Sequence, residues 1–314
     1  MRSVQSKGFL VSAASLTAAA VAAACIGSAS PAHAAMLATD NAANYTSFGT
    51  TPSPTNGGSG FGAWNIQVAN NNSSVGPYAG TFLGNNTGVN IASSNGGYWG
   101  FYANGGTTGV VPSVNAYRPF ENAAGTGAGT LRQNQEFSLG LEVQTGKNGL
   151  GGATGAAAGF SLNTVGSAGS YTPVFSLTFA QSANSPYGLI TTITDASGVT
   201  TYTSPAYNQP GTNALDESQI EAGIEASFTL GANSSYTLSL APANGNTLLT
   251  SPLTYTGTIS GSINAADIIE SATNANLQAN QMEISAAETP EPASFALLGV
   301  AAGGLLLSRR RKTV

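Results

Sequence analysis

Cysteine and histidine each occur once in the chain, at Cys25 and His33, both within the first 34 residues. Beyond them there is no thiol and no imidazole, so a disulfide framework is excluded there. The same absence rules out thiolate nucleophiles, His-dependent triads, zinc sites of the usual Cys and His types, and haem or copper sites. Charge is nearly as scarce: Asp, Glu, Lys and Arg make up 7% of the chain, against a typical quarter. Six of the nine Lys and Arg crowd the two ends, at Arg2, Lys7, Arg309, Arg310, Arg311 and Lys312. With the ends set apart, Arg118, Arg132 and Lys147 face 13 acidic residues, a net charge of −10. Nucleic acid is excluded as a partner, because binding it takes clustered Lys and Arg to displace counterions. An anionic membrane surface is disfavoured for the same reason.

The ends themselves read as addresses. Arg2 and Lys7 precede an apolar, Ala-rich run from Gly8 to Ile26, and Ala32-His33-Ala34 puts small residues where a signal peptidase reads them. This pattern predicts a secretory signal peptide over residues 1–34, cut between Ala34 and Ala35. A lipoprotein signal at Cys25 is the alternative; Val21 stands one position away from where it would be needed. At the other end, Ala293 to Leu307 is an apolar run of 15 residues, about 23 Å as a helix. A hydrocarbon core is about 30 Å thick, so spanning it draws on Ser308 and the snorkelling arginine stems. Arg309, Arg310, Arg311 and Lys312 hold that end on the cytoplasmic side. Everything between the two ends is then exported, with membrane contact only through the C-terminal helix.

Pro290-Glu291-Pro292, the apolar run and the terminal basic cluster together resemble a PEP-CTERM sorting signal, here over residues 289–314. The resemblance implies a Gram-negative-type bacterium and processing by signal peptidase and an exosortase, with cleavage near the Pro-Glu-Pro. It implies release to the cell envelope, outer surface or extracellular space. Proteins with such tails often accompany exopolysaccharide and biofilm production.

Residues 35–288 form the core. Phe137, Leu139, Leu141 and Val143 alternate strictly with polar or small residues, and Phe175, Leu177 and Phe179 repeat the pattern. Ile220, Ala222, Ile224, Ala226, Phe228 and Leu230 give the longest period-two run. Ile190–Thr194 and Val199–Thr203 read as a hairpin with a four-residue connection. Shorter strands are predicted at Trp64–Val68, Tyr98–Tyr102, Phe160–Leu162, Leu253–Ile259 and Gln281–Ile284. Many antiparallel strands with one apolar face each predict an all-β fold, a two-sheet jelly-roll β-sandwich flanked by the signal helix and the C-terminal hydrophobic helix. A right-handed β-helix is the alternative, but no fixed-period repeat supports it. Asp40-Asn41-Ala42-Ala43-Asn44-Tyr45 and Gly60-Phe61-Gly62-Ala63-Trp64 make the core similar to concanavalin-like sandwiches.

No residue set carries a catalytic signature. Tyr98, Trp99 and Tyr102, between glycine pairs, are the candidate carbohydrate platform: as a strand, Tyr98 and Tyr102 share one face while Trp99 and Phe101 share the other. Asn70-Asn71-Asn72 and Asn85-Asn86 read as turns or as donors to sugar hydroxyls. Glu221 and Glu225 on one strand lie about 13 Å apart, too far for a glycosidase pair. Asp216-Glu217 is a weak candidate for calcium; otherwise no cofactor is expected. The expected function is a non-enzymatic structural or carbohydrate-binding matrix protein with exopolysaccharide as the partner. The alternative is a polysaccharide hydrolase or lyase, to be recognised by two carboxylates within about 10 Å in a cleft. Intact-mass analysis of protein recovered from culture medium is expected to show a chain ending near Pro290–Pro292. A secreted species carrying Arg309–Arg311 refutes this processing.

Overall fold

The computed structural model describes residues 36–286, apart from 50–55, 71–77, 86–87, 93–96, 105–110, 123–124, 126, 145–149, 151–155, 168, 183–187, 207, 212 and 274. The signal and sorting segments, with Ala32, Ala34, Ala35, Pro290–Pro292 and the basic cluster, lie outside the described residues, as does Lys147. The segments expected to form the two flanking helices fall there too; among the described residues no helix is long and apolar enough to cross a membrane.

In chain order the strands are β1 (Met36–Asp40), β2 (Asn65–Ala69), β3 (Tyr78–Asn85), β4 (Gly97–Asn104), β5 (Ser113–Pro119), β6 (Gln135–Gln144), β7 (Ala157–Val165), β8 (Tyr171–Gln181), β9 (Leu189–Asp195), β10 (Gly198–Thr203), β11 (Ile224–Leu230), β12 (Ser235–Pro242), β13 (Leu253–Thr258), β14 (Ala265–Ser271) and β15 (Asn276–Ala286). The larger sheet runs β13-β12-β11-β6-β15-β4-β3, with β1 added against β15. The smaller runs β10-β9-β8-β7-β14-β5-β2. Every pairing is antiparallel. Consecutive strands β4 and β5, β6 and β7, and β14 and β15 cross from one sheet to the other. Strand β15 thereby lies between β4 and β6, as β14 lies between β5 and β7. This interleaving makes the protein a jelly-roll β-sandwich.

The alternation read from the sequence is what fills the gap between the sheets. Phe137, Leu139, Leu141 and Val143 of β6 are fully buried, as are Phe160 and Leu162 of β7 and Leu177 and Phe179 of β8. Phe120, Phe137, Phe160, Phe175, Phe228 and Tyr236 form a continuous aromatic column with neighbouring centroids 4.8 to 6.0 Å apart. Each such ring is worth about 1.5–3 kcal/mol through removal of apolar area from water.

Two expectations need correction. The long period-two run begins as a strand only at Ile224: Glu217–Glu221 is a short helix, α1. Asp216 and Gln219 form a reciprocal capping box there, so local hydrogen bonding outweighs the alternation of Ile220 and Ala222. In the β9–β10 hairpin, Asp195 pairs with Gly198, which leaves Ala196-Ser197 as a two-residue turn rather than a four-residue connection.

One polar cluster sits inside the apolar interior. Strand β5 alternates Val114, Ala116 and Arg118 toward the core, so Arg118 enters it completely. Its Nη2 donates to Asp40 Oδ2 at 2.6 Å, and neither side chain is exposed. Nη2 also donates to Asn56 Oδ1 (2.5 Å) and Tyr45 Oη (3.2 Å), while Nη1 donates to the Gly62 carbonyl. The Tyr45 hydroxyl donates to Asp40 (2.7 Å) and accepts from Trp64 Nε1 (3.0 Å). The guanidinium carbon lies 5.0 Å from the Trp64 ring centroid and 5.6 Å from that of Phe61. The stretches Asp40–Tyr45 and Gly60–Trp64, singled out in the sequence, therefore converge on one cation. Arg118→Met, which leaves Asp40 buried and unpaired, is expected to cost about 3–5 kcal/mol of stability. In urea denaturation most of that loss is expected to return in the Arg118→Met/Asp40→Leu double variant.

Candidate functional site

The outward face of the larger sheet carries the polar and aromatic residues that the core does not use. On β3, Gly80, Phe82 and Gly84 face outward; on β4, Tyr98, Gly100 and Tyr102 do so. The register pairs Gly80 with Tyr102, Phe82 with Gly100 and Gly84 with Tyr98. Each aromatic thus faces a glycine, and its ring occupies the space a side chain would take there. A Cβ added at Gly84 would fall 2.0 Å from the Tyr98 ring, at Gly100 2.2 Å from the Phe82 ring, and at Gly80 2.5 Å from the Tyr102 hydroxyl. The rings form a strip: Tyr78 to Tyr102 is 5.7 Å between centroids, Tyr102 to Phe82 6.4 Å, and Phe82 to Tyr98 6.2 Å. Tyr78 is 46% exposed, Tyr102 and Phe82 are half-buried, and Tyr98 is buried.

The strip stops at a strap, residues 88–92, that lies on the same face. Val89 and Ile91 pack with Tyr98, against Phe82, Ala92 and Ala243. Polar ties fasten the strap. Asn280 Nδ2 donates to the carbonyls of Ile91 (3.0 Å) and Gly97 (3.1 Å), and Asn90 Nδ2 donates to the Ala222 carbonyl (2.8 Å). Glu142, buried on β6, accepts the Asn90 backbone N–H at 2.8 Å.

Beyond the strap is a cleft of about 150 Å³, lined among others by Ser138, Gly140, Glu225, Asn244, Gln281 and Glu283. Its floor is β6, and its two carboxylates come from the strands on either side. Glu225 of β11 stands level with Gly140, and Glu283 of β15 stands level with Ser138. Two strand spacings across and two residues along the strands separate them, about 12 Å between backbones. Glu283 points outward because of a bulge: between Asn280 and Glu283 the register shifts by one residue, and Gln281 takes a positive φ of 54°. The extra residue reverses the phase, sending Met282 into the core and Glu283 outward. At the same place β15 changes partner, from β4 through Ala279 to β1 from Met282 onward.

The site residues expected from the sequence separate as follows. Tyr98 and Tyr102 share the outer face as expected. Trp99 is completely buried against Tyr45, Phe48 and Trp64, so it serves the core and cannot stack on a sugar; the exposed end of the strip is Tyr78 instead. Glu221 belongs to α1, so it and Glu225 do not share a strand. Glu136 accepts from the Thr229 hydroxyl. Asp216 Oδ1 accepts from the Gln219 N–H and the Ser218 hydroxyl, so that oxygen serves the helix cap. Among the described residues no group of three or more His, Cys, Asp or Glu is placed to hold a metal ion. Asn70 is a turn residue with positive φ whose amide donates to the Val111 carbonyl; Asn71, Asn72 and Asn86 lie outside the described residues. Sequence reasoning missed Phe82 and Tyr78, although Gly-x-Phe-x-Gly against Tyr-x-Gly-x-Tyr was there to be matched. It missed Glu283 because a bulge has no signature in period-two alternation.

Burial sets the proton affinity of this face. Burial pushes the Glu142 carboxyl up to about 7, against the backbone N–H bonds from Asn90 and Ile91 that favour its charged form. Burial likewise raises Asp267 and Glu270 well above the carboxylate range, and burial with the nearby Glu225 raises Glu283. In the unfolded chain Glu142 ionises near 4.5, so between that pH and about 7 the folded protein binds the extra proton. Stability is therefore expected to fall as pH rises through this window. Thermal melts between acid and neutral pH check it, and Glu142→Gln is expected to flatten that part of the profile.

Residues 288–312 match the PEP-CTERM protein-sorting motif. No curated protein matches the chain. Among solved structures, the chain is similar to an alginate lyase from Pseudomonas aeruginosa, at 10% identity and TM-score 0.34, over 55% of this chain and 74% of that one. A family 7 alginate lyase in complex with product is similar at 7% identity and TM-score 0.36, over 62% and 81%. The receptor binding domain of botulinum neurotoxin D is similar at 9% identity and TM-score 0.34, over 76% and 48%. The chain spans about half the length of that toxin domain. The sorting motif marks this chain as an exported, exosortase-sorted protein.

Proposed function

We propose that the exported protein is a non-enzymatic component of the cell surface or extracellular matrix that binds a polysaccharide along the outer face of its larger sheet. The observation that carries this reading is the aromatic strip. Gly80, Gly84 and Gly100 leave room for the rings of Tyr102, Tyr98 and Phe82, and Tyr78 extends the row into solvent. The solvent-facing part of the row, Tyr78, Tyr102 and Phe82, offers ring surface to the C–H groups of sugars, and the tyrosine hydroxyls offer hydrogen bonds at the rim. Exopolysaccharide, which accompanies sorting tails of this type, is the natural ligand class, and biofilm matrix the natural setting.

A polysaccharide-active hydrolase is the second reading, favoured by one observation: Glu225 and Glu283 flank a cleft with a glycine in its floor. Side chains leaning toward each other over that floor would bring the carboxyl groups into the wider separation of inverting carboxylates, about 6.5–9.5 Å.

The full chain screened on a glycan array is expected to bind at least one polysaccharide. Tyr102→Ala and Tyr78→Ala are each expected to weaken binding about tenfold. Retained affinity in both variants refutes the strip as the site. Release of reducing ends from a bound polysaccharide, lost in Glu283→Gln, moves the assignment to the hydrolase.

A further inference from the structure

We infer that the cleft beyond the strap selects glycans whose sugars carry a free, protonated amine, as in de-N-acetylated hexosamine polymers. This rests on the glycan-binding reading above and names its ligand class.

The cleft gathers a set of acceptors. Ser138 is 9% exposed and lines the cleft, which puts its hydroxyl within reach of a ligand there. Glu225 and Glu283 stand on either side of it, and neither is engaged by a cation. Among the described residues the basic side chains are Arg118, consumed in the core by Asp40, and Arg132, which precedes β6. Two carboxylates facing one opening oppose each other's charge, and burial with Glu225 nearby raises the Glu283 carboxyl. A positive group between them relieves both effects.

The shape of that positive group follows from the donors required. An ammonium has three N–H donors and no acceptor, matching Glu225, Glu283 and the Ser138 oxygen. A calcium ion asks for six to eight oxygens at about 2.3–2.6 Å, and the acidic groups needed are not gathered here. The opening of about 150 Å³ is several times the roughly 30 Å³ share of one water, room for part of a sugar. Asn244 and Gln281, also lining the cleft, present amides to the ring hydroxyls. Three strand spacings, about 14 Å, separate Glu225 on β11 from β4 and its aromatic strip, while Glu283 stands on β15, the strand between β6 and β4. A polyuronate brings further carboxylates to the same face and is repelled.

The test is titration calorimetry of the full chain at mildly acidic pH. Three oligomers of equal length serve as probes: glucosamine, N-acetylglucosamine and mannuronate. The glucosamine oligomer is expected to bind about tenfold tighter than its acetylated form, with the difference shrinking as salt rises, and mannuronate is expected not to bind. The preference is expected to vanish in the Glu225→Gln/Glu283→Gln variant, whose binding of the acetylated oligomer shows that it is folded. Equal affinity for both hexosamine oligomers, with binding lost in Tyr102→Ala, overturns the cleft assignment and leaves the glycan-binding reading standing. Failure of all three oligomers and of the glycan array overturns both. A preference that survives the double substitution, or that calcium chloride abolishes, also overturns the amine assignment.

Discussion

The buried pair of Arg118 and Asp40 is the constraint from which the rest of the sandwich follows. Arg118 belongs to the smaller sheet and Asp40 to the strand that closes the larger one, so the bond joins the two layers directly. Taking two charges out of water is costly, and such a pair contributes more to the choice of arrangement than to stability. Here Tyr45, Asn56 and the Gly62 carbonyl accept from the two terminal nitrogens, Nε alone stays without a partner, and Trp64 and Phe61 lie beside the guanidinium. A chain with so few cations spends one of them to fix where β1 must lie.

The placement of β1 reaches the outer face through β15. Beyond the bulge at Gln281, β15 gives up β4 and pairs with β1 instead. The Ala42 N–H, just after β1, donates to Asn280 Oδ1 at 2.9 Å. Asn280 in turn holds the strap through the Ile91 carbonyl. The core pair, the edge strand, the bulge and the outward turn of Glu283 are thus linked in sequence. The link is geometric: the slip falls where β15 changes partner, and a one-residue slip exchanges a strand's two faces.

The two halves of the outer face are built by opposite means. On β3 and β4, absent side chains at the cross-strand glycines make room for rings. On β6, β11 and β15, a glycine opens a floor between carboxylates that have no counter-charge beside them. The strap between them is held by a buried carboxyl, Glu142, and by amides. An acidic chain with almost no free cation suits neutral or positively charged ligands, since like charge repels at low ionic strength. The sorting motif carries the address, and the proposed recognition chemistry lies on the outer face.

Export and sorting were legible in the sequence because short linear motifs read by enzymes need no fold to be recognised. The all-β class was legible as well, because period-two alternation at Phe137–Val143 and Phe175–Phe179 directly states which residues a sheet must bury. So was the sharing of one face by Tyr98 and Tyr102. Tertiary structure alone decided the rest. Alternation says that Trp99 and Tyr98 lie on opposite faces, but only the packing of the second sheet says which face is the core. A capping box turned Glu217–Glu221 into a helix within an alternating run, since local hydrogen bonds compete with a periodic pattern on equal terms. Glu225 and Glu283 lie 58 residues apart in the chain and meet across β6 only because strand order and one bulged residue bring them there. Strand order depends on pairings between distant segments, and no local pattern records them.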